Sequence, residues 1–192
     1  MKQILSWWFP DGETHMKEHL VEDTQSNRGG EYQTLQRDYA LCYMKKYYNR
    51  AKVALDIGGH VGLWGADMCQ HFEQVIAFEP VKEFRKCYHK NMADRGIQNY
   101  TINEFALGNP NEKVGKIYMD VHEENSGSTK VVEAGTDDMA VDVKKLDTLG
   151  LKDVHFIKMD AEGYEIEILK GAKDTILSNR PVMMIEVKGN QL

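Results

Sequence analysis

The stretch Val53-Ala54-Leu55-Asp56-Ile57-Gly58-Gly59-His60-Val61-Gly62 constrains this chain more than any other. It opens with aliphatic residues that suit a buried strand. It breaks at Gly58 and Gly59, where the backbone can take positive φ and approach a ligand closely. Val61, Trp64, Met68 and Phe72 then recur at helical spacing, which predicts a helix over residues 61–72. Strand, glycine turn and helix in that order form a nucleotide-type cradle. A second strand, Val75-Ile76-Ala77-Phe78, ends in Glu79-Pro80, with the acid 23 residues beyond Asp56. A carboxylate at that tip can accept hydrogen bonds from both hydroxyls of a ribose.

The glycine pattern is not a dinucleotide fingerprint, which needs Gly-x-Gly-x-x-Gly to bring amides to a pyrophosphate. Here His60 stands where a middle glycine would be, and Asp56 precedes the turn. An acid repels a polyanion and suits a cationic ligand. S-adenosyl-L-methionine, with a sulfonium and an ammonium, fits that requirement.

The 192 residues suffice for one domain with a real core. A net charge of −6 argues against a broad nucleic-acid surface, so nucleic acid is not an expected partner. Cys42, Cys69 and Cys87 lack metal-type spacing and read as buried or half-buried thiols of a reducing compartment. No stretch approaches the ~18 apolar residues of a membrane span. The first ten residues do not read as a signal peptide, so the expected location is cytoplasmic and no membrane partner is expected.

Residues 1–50 are expected to form an N-terminal clasp and helix on the core, and residues 51–192 the binding domain. Residues 1–30 read as irregular, with Trp7, Trp8 and Phe9 docking as a clasp or, alternatively, forming a lid or acceptor wall. Turns fall at Gly12, Asn27, Gly29 and Gly30. A helix over 31–49 would turn Tyr32, Leu35, Tyr39 and Cys42 inward, with Lys45, Lys46 and Arg50 near its C-terminal end. After Pro80 a helix to residue 93 places Phe84, Cys87 and Tyr88 inward and Lys82, Arg85, Lys86, His89 and Lys90 on a solvated basic face. Residues 101–108 read as a third strand running into a turn, with its end on the same sheet edge as the first two, where adenine could rest. Strands at 113–121 and 140–143 flank a polar loop at 125–129, a β excursion over the site. Residues 154–160 form a buried strand ending in Asp160. A turn at Ala161-Glu162-Gly163 opens a helix to residue 177, with Leu169, Ala172 and Ile176 inside. Residues 182–187 are the last strand. The result is an α/β chain with an open, mainly parallel sheet and flanking helices. Ligands bind such sheets at the carboxyl ends of the strands, where Asp56, Glu79, Ala106, Asp160 and Glu186 fall.

Asp56-Ile57-Gly58-Gly59-His60-Val61-Gly62, Phe78-Glu79-Pro80, Phe105-Ala106-Leu107-Gly108, Ile157-Lys158-Met159-Asp160-Ala161-Glu162-Gly163-Tyr164-Glu165 and Ile185-Glu186-Val187 resemble, in order and spacing, the FkbM-type methyltransferases. The resemblance covers roughly residues 52–188. It implies a class I methyltransferase (Rossmann-like) fold, S-adenosyl-L-methionine as cofactor, and O-methyl transfer to a hydroxyl of a sugar, glycan or small metabolite. Asp56, Gly58 and Gly62 match its cofactor loop and Glu79 its ribose acid. Gly59, His60, Pro80, Phe105, Ala106 and Asp160 complete the expected cofactor set. The chain departs from the fold at its C-terminus, where the usual sixth and seventh strands are not expected. A second copy of the chain or the N-terminal segment could cover that edge.

Methyl transfer needs an aligned acceptor and the removal of one proton. Asp160 and Glu162 share one tight turn and could both face the acceptor. Lys158 could neutralise a carboxylate or bind the acceptor. Glu162 could instead cap the following helix, and Asp160 could orient the methionine ammonium. His60 is the alternative base. Asp160, Glu162 and Glu186 are the one oxygen set a hard cation could use, but no metal spacing supports it and none is expected. An RNA methyltransferase and a non-catalytic S-adenosylmethionine-binding module are the competing functions.

Overall fold

The computed structural model describes residues 1–22, 32–48, 51–111, 115–132 and 134–187. Asn27, Gly29, Gly30, Arg50 and Lys113 lie outside the described residues. Five parallel strands form the central sheet: β3 (Val53–Ile57), β4 (Gln74–Phe78), β5 (Tyr100–Asn103), β10 (Val154–Met159) and β11 (Val182–Ile185), in spatial order β11-β10-β3-β4-β5. The intervening elements are the N-terminal strands β1 (Lys2–Ile4) and β2 (Trp7–Phe9), and a mixed sheet of β6 (Ala106–Leu107), β7 (Gly115–Asp120), β8 (Lys130–Val132) and β9 (Ala140–Lys144). Helices are α1 (Met16–Glu22), α2 (Thr34–Tyr47), α3 (Leu63–Met68), α4 (Lys82–Asp94), α5 (Glu165–Lys170) and α6 (Lys173–Asn179).

The central strands β3 and β10 are buried along almost their whole length, as parallel strands covered on both faces must be. Their alternation sorts side chains onto two layers. Ala54, Val75 and Phe156 pack with Ala40, Leu41 and Met44 of α2 and with Trp64 and Met68 of α3. Leu55, Ile57, Phe78, Ile157 and Met159 pack on the other face with Leu146, Ile168 and Ala172. Register then sets the site. Ile57 lies opposite both Phe78 and Met159, Phe78 opposite Asn103, and Met159 opposite Ile185. The residues that follow, Gly58, Glu79, Asp160 and Glu186, therefore line up along one edge. The ladder carries one step into them: the amides of Gly58, Glu79, Asp160 and Glu186 donate to the carbonyls of Phe78, Asn103, Ile57 and Met159.

Several elements depart from the sequence expectation. Residues 1–22 are ordered, as a β1–β2 hairpin and α1. Phe9 and Leu20 are fully buried and Trp7 nearly so, in a cluster with Val61, Cys87, Tyr88 and Met92. The helix predicted over 61–72 is only Leu63–Met68, because the amides of Gln70 and His71 turn to i−3 carbonyls as the chain swings back to β4. The predicted third strand is cut after Asn103, and Ala106–Leu107 joins the second sheet beside β9. The helix predicted to residue 177 breaks at Gly171, which lies so close to Gly108 that a Cβ would sit 1.9 Å from its carbonyl oxygen. Asp147 caps the second piece by accepting from the amides of Asp174 and Thr175. β8 was not expected at all.

α2 turns the opposite face inward. Leu35 and Tyr39 are 75% and 76% exposed and Cys42 is exposed, whereas Thr34, Arg37, Ala40, Leu41 and Met44 are buried. Arg37 meets Asp67 of α3 at 3.2 Å, both shielded from solvent, and that pair fixes the helix's rotation. Among the described residues, no helix is long and apolar enough to cross a membrane.

Candidate active site

The cavity opens at the carboxyl edge of the parallel sheet. Its floor is Gly58, Gly59 and His60 after β3, Glu79 and Pro80 after β4, and Lys158 of β10 with Asp160, Ala161 and Glu162 after it. Its roof comes from Met16 of α1, Met119 and Val131 of the second sheet, and Ser126 in the turn between β7 and β8. Ala106 also lines it. Asp56, Gly62 and Phe105, expected in the cofactor set, do not.

Asp56 is displaced by strand alternation. Its side chain leaves β3 on the face covered by α3 and α4, where it is fully buried. Tyr88 Oη donates to its Oδ2 at 3.4 Å and Lys158 Nζ stands 3.7 Å from its Oδ1. Burial raises the Asp56 carboxyl, and the Lys158 charge and the Tyr88 hydroxyl oppose that shift. Asp56 and Lys158 are cross-strand partners in register. Lys158 also donates to the Gly58 carbonyl at 2.8 Å and stands 3.9 Å from Asp160 Oδ2. The lysine thus fastens the glycine turn from below, between two carboxylates. Gly58 has φ +73°, and a Cβ there would meet the Asp160 carbonyl oxygen at 1.8 Å, so only glycine lets the β3 and β10 turns cross. Gly62 caps α3 at φ +90°.

Glu79 is 5% exposed. Its Oε2 accepts from the His60 amide and its Oε1 from the Val81 amide, both at 2.8 Å. Burial pushes its carboxyl up to about 7, against the pull of those two hydrogen bonds and of Arg85 and Lys158. A carboxylate oxygen carries two lone pairs, so each Glu79 oxygen keeps one for a ligand.

His60 has φ 48° and its ring packs edge-on to Phe84 at 4.7 Å. Its Nε2 lies 2.7 Å from Ser126 Oγ. Burial lowers its pKa to about 4, with Glu13 pulling upward and Lys158 downward, so the ring is neutral at physiological pH.

Asp160 and Glu186 face one another. Burial first, then the Asp160 charge and the hydrogen bond the two acids can share, raise the Glu186 carboxyl to about 7. With Glu186 ionised, Asp160 Oδ1 is buried without a hydrogen-bond partner. Glu162 lines the cavity at φ 51°. Glu165, the first residue of α5, braces the turn before it, its Oε1 accepting from the amides of Ala161 and Gly163 at 2.8 and 3.2 Å. Among the described residues, no group of three His, Cys, Asp or Glu side chains is placed to hold a metal ion.

Sequence reasoning missed Glu13, Ser126 and Tyr88. Glu13 is fully buried. Its Oε1 accepts from the amides of His15 and Met16 and its Oε2 from the amide and hydroxyl of Ser126. Burial raises its carboxyl, but these four bonds outweigh it and hold the group below the usual range. The only sequence signal was the polar loop containing Ser126. The inward placement of Tyr88 was legible, its contact with Asp56 was not.

The family description Methyltransferase FkbM domain matches residues 56–191. Methyltransferase 1 of Beauveria bassiana (strain ARSEF 2860) is 24% identical over 177 residues, 78% of this chain and 71% of that protein. The crystal structure of methyltransferase FkbM from Methylobacillus flagellatus KT superposes on 71% of this chain with a TM-score of 0.51 at 23% identity. This chain spans 32% of that protein's length. The parallel sheet with flanking helices is the class I methyltransferase fold. With the family match running from Asp56 through the glycine turn, Glu79 and the Asp160 turn, this chain belongs to the FkbM methyltransferase family.

Proposed function

We propose that the protein is an S-adenosylmethionine-dependent methyltransferase that modifies a hydroxyl of a sugar, glycan or small metabolite. The observation that carries the reading is the row of groups on one sheet edge. Glu79 offers two acceptor oxygens at the tip of β4, and Asp160 offers a buried oxygen in want of a donor at the tip of β10. A ligand with a diol at one end and an ammonium at the other satisfies both. Glu79 would hold the ribose, Asp160 the ammonium, and the side-chain-free Gly58–Gly59 turn would let the ligand approach the backbone.

When bound, S-adenosylmethionine supplies an activated methyl group on a sulfonium. The chain's own residues do the rest. Met16, Met119 and Val131 in the roof exclude water. Glu162, on the cavity wall, orients the acceptor hydroxyl. His60 is uncharged at working pH and can take the acceptor's proton as positive charge leaves sulfur.

Calorimetry with S-adenosylhomocysteine and with NAD tests the reading. S-adenosylhomocysteine binding without NAD binding is expected, and the reverse would sink it. Glu79→Ala should weaken binding by roughly 1.5–3 kcal/mol, the worth of hydrogen bonds to a charged group. Because Glu79 can accept from both hydroxyls of a diol only when ionised, and its carboxyl sits at about 7, wild-type affinity should rise with pH through neutrality and level off above it. Screening glycans and hydroxylated metabolites with labelled S-adenosylmethionine identifies the acceptor.

A further inference from the structure

We infer that Glu13 is a positioning residue for methyl transfer, acting through Ser126 to fix the proton of His60 on Nε2 and leave Nδ1 as the ring's basic nitrogen. The inference rests on the proposed function for its catalytic meaning, but its structural content stands on the hydrogen-bond chain alone. Glu13 precedes the matched residues 56–191 and reaches Ser126 across 113 positions of sequence.

The direction of the chain follows from counting protons. The Glu13 carboxylate is fully buried and ionised, and an ionised carboxylate only accepts. Its Oε2 faces both the Ser126 amide, at 2.6 Å, and the Ser126 hydroxyl. A hydroxyl has one proton, and Ser126 must give it to Glu13, since two bare oxygens in contact would repel. Ser126 Oγ is then an acceptor toward His60 Nε2, 2.7 Å away. A neutral imidazole has one N–H, so Nε2 carries it and Nδ1 does not. The chain runs His60 Nε2–H to Ser126 Oγ, and Ser126 Oγ–H to Glu13 Oε2.

This arrangement serves proton removal twice. It keeps the ring in one tautomer, so the basic nitrogen is defined before an acceptor arrives. It also places a buried negative charge behind the ring, which favours the imidazolium formed when Nδ1 takes the acceptor's proton. The same logic governs the carboxylate that orients a histidine in hydrolase triads. The other charged groups acting on the ring are Lys158, which opposes that positive charge, and Asp160, which favours it; Glu79 holds the His60 amide. The ring is clamped by Phe84 and faces Phe9 at 6.2 Å. Glu13 itself is fixed by the amides of His15 and Met16 at the start of α1.

Ring nitrogen correlation spectra of the isotope-labelled full chain, with His60 assigned by comparison with His60→Asn, read the tautomer directly. The Nε2–H form is expected across about pH 6 to 8. Glu13→Gln loses the buried charge, and its NH2 must face either the Ser126 amide or the amides of His15 and Met16, so the hold on the Ser126 hydroxyl weakens and the Nε2–H form should lose its dominance. A wild-type ring protonated at Nδ1, or a Glu13→Gln spectrum identical to wild type, overturns the inference. Ser126→Ala is the second variant, because it keeps every backbone bond to Glu13 and cuts only the link, and it should yield a tautomer mixture. In turnover, both variants should lose kcat by a factor on the order of 10²–10⁴ with S-adenosylhomocysteine affinity nearly unchanged. A matching loss of that affinity overturns the positioning role. If the wild type binds no S-adenosylhomocysteine, the methyltransferase reading fails, and the spectra still decide the tautomer.

Discussion

Glu186 stands against Asp160 at the carboxyl edge, and its raised pKa makes it a source of pH-dependent stability. The folded value of about 7 lies above the ordinary 4.5. Its contribution is therefore full below the ordinary value and is lost as pH rises through 7. Glu186→Gln removes the second negative charge and can donate to Asp160 at any pH. Its melting temperature should exceed wild type by about 2–4 °C at pH ~8 and match it at pH ~5, a shift typical of ~1 kcal/mol in a chain this long. Equal melting temperatures at both pH values would mean the two acids do not interact. The neighbouring turn divides its labour between two side chains. Asp160→Asn should weaken S-adenosylhomocysteine binding, since it removes the charge offered to the ammonium. Glu162→Gln should leave that affinity intact and lower turnover by about 10²-fold or more. Glu165→Gln should disturb the turn itself, because Glu165 holds the amides of Ala161 and Gly163. At this scale the sequence told most where a residue sits directly on a strand end. Gly58, Glu79 and Asp160 were readable because each follows an apolar run. The burial of Asp56 was legible in the same way, since it alternates with Ala54 onto the helix-covered face. The tie between Glu13 and Ser126 was not readable, because neither local pattern distinguishes a latch from a solvated acid and a loop serine.

Among the elements, α2 is the instructive failure. It carries apolar residues on two faces: Leu35, Tyr39 and Tyr43 on one, Ala40, Leu41 and Met44 on the other. Periodicity alone does not rank them, and the tyrosine-rich stripe is the larger. Tertiary partners decide, through the Arg37–Asp67 pair and the fit of Met44 among Ala54, Trp64 and Phe156. Met44→Ala should then cost about 2–5 kcal/mol in urea unfolding, as large-to-small core changes do. Tyr39→Ser should stay within about 0.5 kcal/mol of wild type. The opposite ranking would put the tyrosine stripe inside. The broken helix at Gly171 has a different origin. Leu169, Ala172 and Ile176 keep helical spacing across the gap, so the sequence carries no break signal beyond the glycine itself. The break comes from Gly108, sixty-three positions earlier, whose carbonyl occupies the place of a side chain. The positions of the central strands were recoverable because parallel strands buried on both faces leave long apolar runs, whereas their order and register came only from the structure. The second sheet was only half recoverable, because its strands are very short, as in β6, or partly exposed, as in β8.

At the scale of the whole molecule, the cavity has a floor from the parallel sheet and a roof from the N-terminal segment and the second sheet, and the two must stay in register for a ligand to be enclosed. Polar ties hold them. His60, in the floor, meets Ser126 Oγ of the roof through its Nε2 at 2.7 Å, and Ser126 is itself held by Glu13. Asn91 of α4, fully buried, accepts from the Trp8 amide at 2.7 Å and donates to the carbonyls of Trp8 at 3.0 Å and Val61 at 2.8 Å. Asn91 therefore joins the hairpin, α4 and the end of the glycine turn in one side chain. Asn91→Ala leaves buried backbone groups unpaired, each costing about 1–3 kcal/mol. It should lower the melting temperature and also weaken S-adenosylhomocysteine binding by about tenfold or more, equivalent to ~1.4 kcal/mol. Met44→Ala supplies the comparison, because Met44 belongs to the layer between α2 and the sheet and does not line the cavity. It should lower the melting temperature by a similar amount and leave affinity within about twofold, since well-separated sites act nearly independently. If the two variants lose affinity in the same proportion, Asn91 contributes only to global stability. If Asn91→Ala alone loses it, the N-terminal segment is part of the binding site's architecture and not merely a cover on the core.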